Sequence, residues 1–267
     1  RRNMPPIADH GVRQFLMVFL LATLPAAMAQ ERPFRESVSI NVDPDAAKSL
    51  RMIRDQWENG PDAATVSALV DLCETRGDAL VLQDRGVAGG VARFVRVQSA
   101  GDELIAGLLP DARAAYRQRI DPLAEPWWKA WKSTGESRYL DWLVTRAFFS
   151  SWGDDAIWAA AHEEWNREDY PTAKRLWQRL LPAGNAPVTE PRYPDSSFSP
   201  AEITARLILC DIFSGEIEDA QREWALFADK YAEVEGSLGG RTGRWTELLK
   251  ATLEQSANWT PQATSED

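Results

Sequence analysis

Apolar positions in the second half of the chain fall at helical spacing and then recur as a set. Ala173, Trp177 and Leu180 reappear 47 positions later as Ala220, Trp224 and Phe227. In both copies a small residue precedes an aromatic by one helical turn, and a bulky apolar residue follows three positions on. A short polar break precedes each copy, Glu168-Asp169-Tyr170 in the first and Gly215-Glu216-Ile217 in the second. Helix pairs repeating at a fixed period predict stacked helical hairpins. The expected fold is therefore all-α, an α-solenoid of hairpins whose clearest repeats span 154–181 and 201–231. Each hairpin joins two helices, Asp154–Arg167 with Pro171–Leu181 and Ala201–Phe213 with Glu216–Tyr231. Ala201–Phe213 is apolar on nearly every side and is expected to be the most buried helix.

Upstream, Asp45 is placed to cap a first helix ending near Gly60. Gly60-Pro61 would open a second, with the stripe Val66, Leu69, Val70 and Cys73, ending near Arg76-Gly77-Asp78. Residues 79–100 break the helical period. Leu80-Val81-Leu82, Val87-Ala88-Gly89-Gly90-Val91 and Phe94-Val95-Arg96-Val97 lean towards strand with glycine between them. They predict a short irregular or β-leaning insertion. Helical spacing returns at Asp102–Leu108 and Asp111–Ile120. Asp121-Pro122 reads as a cap and first-turn proline starting another helix, and Pro126 as a restart or kink. Arg138–Phe149 is helical. Residues 182–199 carry the proline and glycine of a long loop, Gly236–Gly243 those of a turn, and Thr246–Gln255 closes the domain.

The first 29 residues do not belong to this pattern. Arg13, the apolar run Phe15–Leu21 and the Ala27-Met28-Ala29 cleavage signal read as an export signal, with the residues before Met4 as a gene-boundary artefact. The apolar run is short for a membrane span, and an uncleaved anchor is the alternative. Residues 30–44 would be a linker, 45–256 the helical domain and 257–267 an exposed tail. Export places the protein in the periplasm or cell envelope, with no transmembrane span after cleavage. Cys73 and Cys210 lie on apolar stripes and read as buried free thiols, although export leaves a disulfide between them open. The chain has 267 residues and a formal charge of −10. Without a Lys/Arg cluster, that balance excludes nucleic acid as the main partner.

The hairpin 154–181 resembles a tetratricopeptide repeat (TPR), with Ala161, Ala173, Trp177 and Leu180 at its small, small, aromatic and apolar positions and Asp169-Tyr170 at its turn. Glu164 departs from the usual aromatic, and Pro182 comes about one helical step early. A longer ordered set of segments covers roughly 36–256. It comprises Tyr116-Arg117-Gln118-Arg119-Ile120-Asp121-Pro122, Ser150-Ser151-Trp152-Gly153-Asp154-Asp155-Ala156, Ala205-Arg206-Leu207-Ile208-Leu209-Cys210 and Gly236-Ser237-Leu238-Gly239-Gly240-Arg241. This set resembles the N-terminal helical region of exported bacterial proteins whose C-terminal half is a β-propeller of the pyrroloquinoline-quinone (PQQ) repeat type. The resemblance implies a helical adaptor in the cell envelope, either stand-alone or cut at a domain boundary. It supplies no catalytic residues.

Few residues point to chemistry. Beyond the export signal there is one histidine, His162, so HExxH and three-histidine metal sites are excluded. There is no CxxC and no GxSxG, and the glycine-rich run 236–243 lacks the Gly-Lys-Ser/Thr end of a phosphate loop. Adjacent carboxylates such as Asp154/Asp155 and Glu163/Glu164 diverge on a helix and make poor acid–base pairs. No cofactor or metal is expected. Trp127, Trp128 and Trp131 form either a ligand platform or helix-packing core, with Trp127 and Trp131 sharing a face. On the TPR pattern the first helix of a hairpin lines the partner groove. That makes Trp158, His162 and Trp165, flanked by Asp155 and Asn166, the candidate partner groove, unless the helix at 138–149 covers this stripe.

Stacked hairpins more often bind other chains than perform chemistry. The expected function is a non-catalytic protein–protein interaction or scaffold module, its partner unidentified or a propeller in the same longer chain. The alternatives are a fragment of a quinone-dependent oxidoreductase whose catalytic propeller lies elsewhere, and a carbohydrate-binding module built on its tryptophans.

Overall fold

The computed structural model describes residues 41–84, 93–182 and 190–257. The expected export signal, the expected linker up to residue 40, the Val87–Val91 run and the expected tail from residue 258 lie outside the described residues. Among the described residues the chain forms ten helices and two two-stranded hairpins. The fold is all-α, built of helical hairpins with a small β insertion.

Helix α1 (Pro44–Trp57) is capped two residues upstream of the expected Asp45. The Asp43 carboxylate accepts from the Asp45 and Ala46 N–H groups at 3.0 and 2.9 Å. Pro44 takes the first helical position, where a missing N–H costs nothing. In α2 (Ala63–Arg76) the cap is Asp62, accepting from the Thr65 N–H at 2.8 Å, so Pro61 lies outside the helix rather than in its first turn. Strands β1 (Leu80–Asp84) and β2 (Arg93–Arg96) pair antiparallel. Val42 adds a parallel bridge to Leu80, so the end of the expected linker is built into the domain. From β2 the chain passes directly into α3 (Val97–Ala106), five residues before the expected start at Asp102.

Helix α4 (Pro110–Thr134) is one helix of 25 residues, not two. Pro122 and Pro126, one turn apart, both face solvent, opposite the buried Tyr116, Ile120 and Ala124. The backbone carbonyls that lose a partner at each proline can therefore be hydrated. Asp121 does not cap a new helix. Its carboxylate accepts from the Ser151 N–H at 2.8 Å and the Ser151 hydroxyl at 2.7 Å. Helix α5 (Ser137–Arg146) ends three residues early, and Ala147–Ser150 turn through the core fully buried.

The repeated hairpins are α6 (Gly153–Asn166) with α7 (Tyr170–Gln178), and α8 (Pro200–Ser214) with α9 (Ile217–Lys230). Each helix from α4 to α9 packs on the next. Helix α8 buries nine residues, among them Ile203, Ile208, Leu209 and Cys210, as its all-round apolar pattern requires. The Gly236–Gly243 segment is a hairpin rather than a plain turn, β3 (Glu235–Leu238) with β4 (Arg241–Arg244). Gly239 and Gly240 connect them at φ 58° and 78°, the doubly left-handed turn that matches strand twist. Helix α10 (Trp245–Ala257) then packs on α8 and α9. Gly236 lies flat on the Trp245 indole, where a Cβ would come within 2.0 Å of the ring.

The two repeats use equivalent residues unequally. Ala173, Trp177 and Leu180 are buried, as are Ala220 and Phe227. Trp224 is half-buried and its indole N–H donates to the Thr246 carbonyl at 3.0 Å, whereas the Trp177 indole N–H is enclosed without a partner among the described residues. An ion pair joins the repeats. Lys174 on α7 meets Asp211 on α8, which is 1% exposed, with Glu223 on α9 at 3.7 Å. Burial works against the Lys174 charge, but the Asp211 hydrogen bond and the neighbouring carboxylates raise its pKa overall. Removing one partner of a buried pair leaves an uncompensated charge. Lys174→Met is expected to cost about 3 kcal/mol in urea unfolding, and adding Asp211→Leu to return most of that loss.

Candidate functional site

The segment 190–199, which leads into α8, is tied down by side chains of α4 and α6. Arg117 on α4 forks onto Asp195 at 2.8 and 2.7 Å, and also donates to the Tyr193 hydroxyl at 2.8 Å and the Phe149 carbonyl at 3.2 Å. The Tyr193 hydroxyl in turn donates to the Ser150 carbonyl at 2.8 Å. Asp154, 6% exposed at the start of α6, accepts from the Ser197 N–H and hydroxyl at 2.9 and 2.8 Å. Burial works to raise Asp195, but the Arg117 hydrogen bond and charge hold its carboxyl below the usual range. This is a latch in which side chains of α4 and α6 hold the 190–199 segment, while the Ser150 hydroxyl and Arg113 Nε stay enclosed without a partner among the described residues. Gly153 fits under it because a Cβ there would meet the Phe148 carbonyl at 1.8 Å and the Tyr193 ring at 2.8 Å.

The stripe read as a partner groove lies beside that latch. Trp158 stacks on Phe198 with centroids 4.3 Å apart and planes at 10°. His162 sits edge-on to Trp158 and Trp177. Trp165 meets Tyr170, Trp177 and Phe213. Arg206 of α8 lies over the Trp158 ring. The rings that cover the stripe thus come from α7, α8 and the 190–199 segment rather than from the helix at 138–149. All three side chains are half-buried, Asp155 is half-buried and Asn166 is exposed. Burial, then Arg206, lowers the His162 pKa, so the imidazole is neutral at pH 7. Burial and Asp154 raise Asp155, with Lys132 opposing.

The tryptophan-rich segment packs in two directions. Trp127 meets Trp142 edge-on, whereas Trp128 stacks between Trp131 and Trp152. Trp127 and Trp131 stand one turn apart on α4, and the stacked ring pair is Trp128 with Trp131. The Trp131 indole N–H donates to Glu163 at 3.0 Å. Cys73 and Cys210 are free thiols. Burial first, then neighbouring carboxylates, pushes Cys73 up to about 12, and burial and Asp211 do the same for Cys210. Both are protonated thiols at neutral pH and poor nucleophiles.

A separate concavity lies elsewhere. It is a cleft of 1160 Å³ bounded by α2, α3, the β1–β2 hairpin, α4, the end of α5 and Arg179 with Glu190. Its walls are largely apolar, including Phe94, Ile105, Ile120, Trp127, Trp142 and Val144. Inside stand four groups from four segments: Cys73, Asp102, Tyr116 and Arg179. Helices α2 and α3 approach closely here, since a Cβ on Gly101 would come 2.8 Å from the Cys73 sulfur. Asp102, the next residue, lines the cleft and is half-buried. Burial pushes its carboxyl up to about 7, against the Gln98 hydrogen bond of 3.0 Å and the Arg179 charge. Burial lowers Arg179 in turn. Sequence reading placed Asp102 at a helix start, a position where an acid is unremarkable. With α3 beginning at Val97, it becomes a mid-helix acid beside the buried Gly101 and Ile105.

Among the described residues no group of three or more His, Cys, Asp or Glu could hold a metal ion, and no helix is long and apolar enough to cross a membrane. Comparison with protein families, with curated proteins and with solved structures finds no match for this chain.

Asp102 also generates a pH dependence. Its folded-state pKa lies above the unfolded value, so its contribution is most favourable below about pH 4 and is lost as pH rises through about 7. Asp102→Asn keeps the Gln98 bond and removes the ionisation. The variant is expected to melt higher than the parent at pH 8, with a difference that shrinks towards pH 4. The span from 3.8 to about 7 sets a ceiling on the order of 4 kcal/mol. Thermal melts across that range measure it.

Proposed function

We propose that this chain is a non-catalytic interaction or scaffold module of the bacterial cell envelope, an adaptor of the kind that precedes a PQQ-like β-propeller. The observation that carries this reading is the hairpin stack α6–α9. Its aromatic residues are spent on packing one hairpin against the next, while large apolar side chains remain in solvent. Leu226 on α9 is 69% exposed and Phe213 at the end of α8 is 48% exposed. Stacked hairpins that present such side chains on a fixed scaffold are a common means of holding another polypeptide. The export signal at 1–29 and the ordered segments from Tyr116 to Arg241 support the envelope assignment.

A photo-crosslinking amino acid at Leu226, expressed in the native host, is expected to give a discrete adduct with one envelope protein. Placement at the exposed Met52 serves as the comparison. Equal, diffuse labelling at both positions would overturn the reading. The propeller connection has its own test, the intact mass of the native protein captured with an antibody to this region. A mass well above that of residues 30–267 is expected if a propeller follows, and a mass equal to it would make the module free-standing.

A further inference from the structure

Arg179 is the most buried cation lining the cleft. Its side chain is 15% exposed, and its guanidinium lies 4.0 Å over the Phe148 ring. Only Nε is engaged, donating to the Pro191 carbonyl at 3.3 Å with Glu190 at 3.9 Å. The two terminal nitrogens have no hydrogen-bond partner among the described residues, and the residue lines the cleft. A guanidinium removed from water and left with free donors is costly unless something fills them. The Tyr116 hydroxyl lies in the same cleft, also without a partner among the described residues. Apolar walls with a few convergent polar groups, in a concavity of this volume, are the ordinary make-up of a small-molecule site.

The charges around Arg179 narrow the ligand. Asp102 faces it from α3 and Glu190 from the segment before α8. Glu74 on α2 and Glu103 on α3 also line the cleft, as does Arg146 at the end of α5. A dianion such as phosphate would meet Glu190 and Asp102 as well as the guanidinium. A monoanion whose bulk is apolar meets them with half the charge, and burial helps Asp102 to stay protonated beside it. A planar carboxylate also matches the fork of two terminal guanidinium nitrogens.

We infer that this cleft binds a small amphipathic carboxylate, its apolar body held against Trp127, Trp142 and Val144 and its carboxylate paired with Arg179. The site is independent of the interaction reading above, and would make the module one that carries or senses an organic acid.

The test compares head groups on a constant tail. Octanoate, octanamide and octylamine are titrated into the purified chain by calorimetry at pH 6.5, with indole-3-acetate as a second acid. Saturable binding of the acids is expected, at least tenfold tighter than the amide, with the amine weakest. Arg179→Gln is expected to bring octanoate to the level of the amide. Val144→Trp, which fills the cleft and leaves the guanidinium intact, is expected to abolish binding of both, with the far-ultraviolet circular dichroism of the parent. If Arg179→Gln fails to fold, the head-group order and Val144→Trp decide the matter. Equal affinity for acid, amide and amine, binding that survives Val144→Trp, or no saturable binding of either acid overturns the inference. None of these outcomes bears on whether Leu226 crosslinks to a protein.

Discussion

A stack of helical hairpins is easy to close when its connections are short and difficult when one is long. The segment 190–199 that leads into α8 is not helical, and its backbone must find partners. The interaction that solves this is the Arg117 fork onto Asp195, extended through Tyr193 to the Ser150 carbonyl and flanked by Asp154 on Ser197. These bonds run from α4, the α5–α6 turn and the start of α6, so they fix where α8 begins relative to three earlier elements. Phe198 is delivered onto Trp158 by the same segment. Without the latch, the aromatic packing between the hairpins would lose its outer layer. Charge-assisted bidentate bonds suit such a joint because they specify geometry as well as strength.

Sequence spacing revealed the repeat and the identity of nearly every helix because both depend on local period. It was misled where a residue serves a distant partner. Asp121-Pro122 carries the marks of a helix start, yet Asp121 is committed to Ser151, and the prolines fall on the wet side of a helix that continues through them. Val97 looked like the end of a strand because β2 and α3 share a junction with no intervening turn. Asp43 and Asp62 displaced the expected starts by one or two residues, because proline fits the first helical position in one case and precedes the cap in the other. The cleft was illegible for a different reason. Cys73, Asp102, Tyr116 and Arg179 come from four segments, and no spacing along the chain links them.

The ordered segments behind the propeller-protein resemblance also gain a physical account. Arg117 and Asp121 in the first, and Ser150, Ser151, Gly153 and Asp154 in the second, are the two sides of one joint. Arg206 in the third lies over both Trp158 and Trp245, and Gly236 in the fourth seats that same Trp245. Each has a packing or hydrogen-bonding role that other residue types could not fill. Residues required by a fold and residues required by a reaction leave the same kind of sequence signature, and geometry is what separates them.

That separation isolates the cleft. The latch satisfies its charges, and Lys174 with Asp211 satisfies most of the charge between the repeats. Arg113 Nε, Arg206 Nε and one Asp211 oxygen are enclosed without a partner among the described residues, whereas the Arg179 terminal nitrogens are left unpaired at the wall of a cleft. A purely structural role would be served more cheaply by apolar side chains, since a half-satisfied polar cluster is worse for stability than none. Asp102 and Arg179 stand at the wall of this cleft, with apolar surface around them. An unpaired guanidinium at the wall of an apolar cleft is the pattern expected where binding a ligand supplies the missing partner.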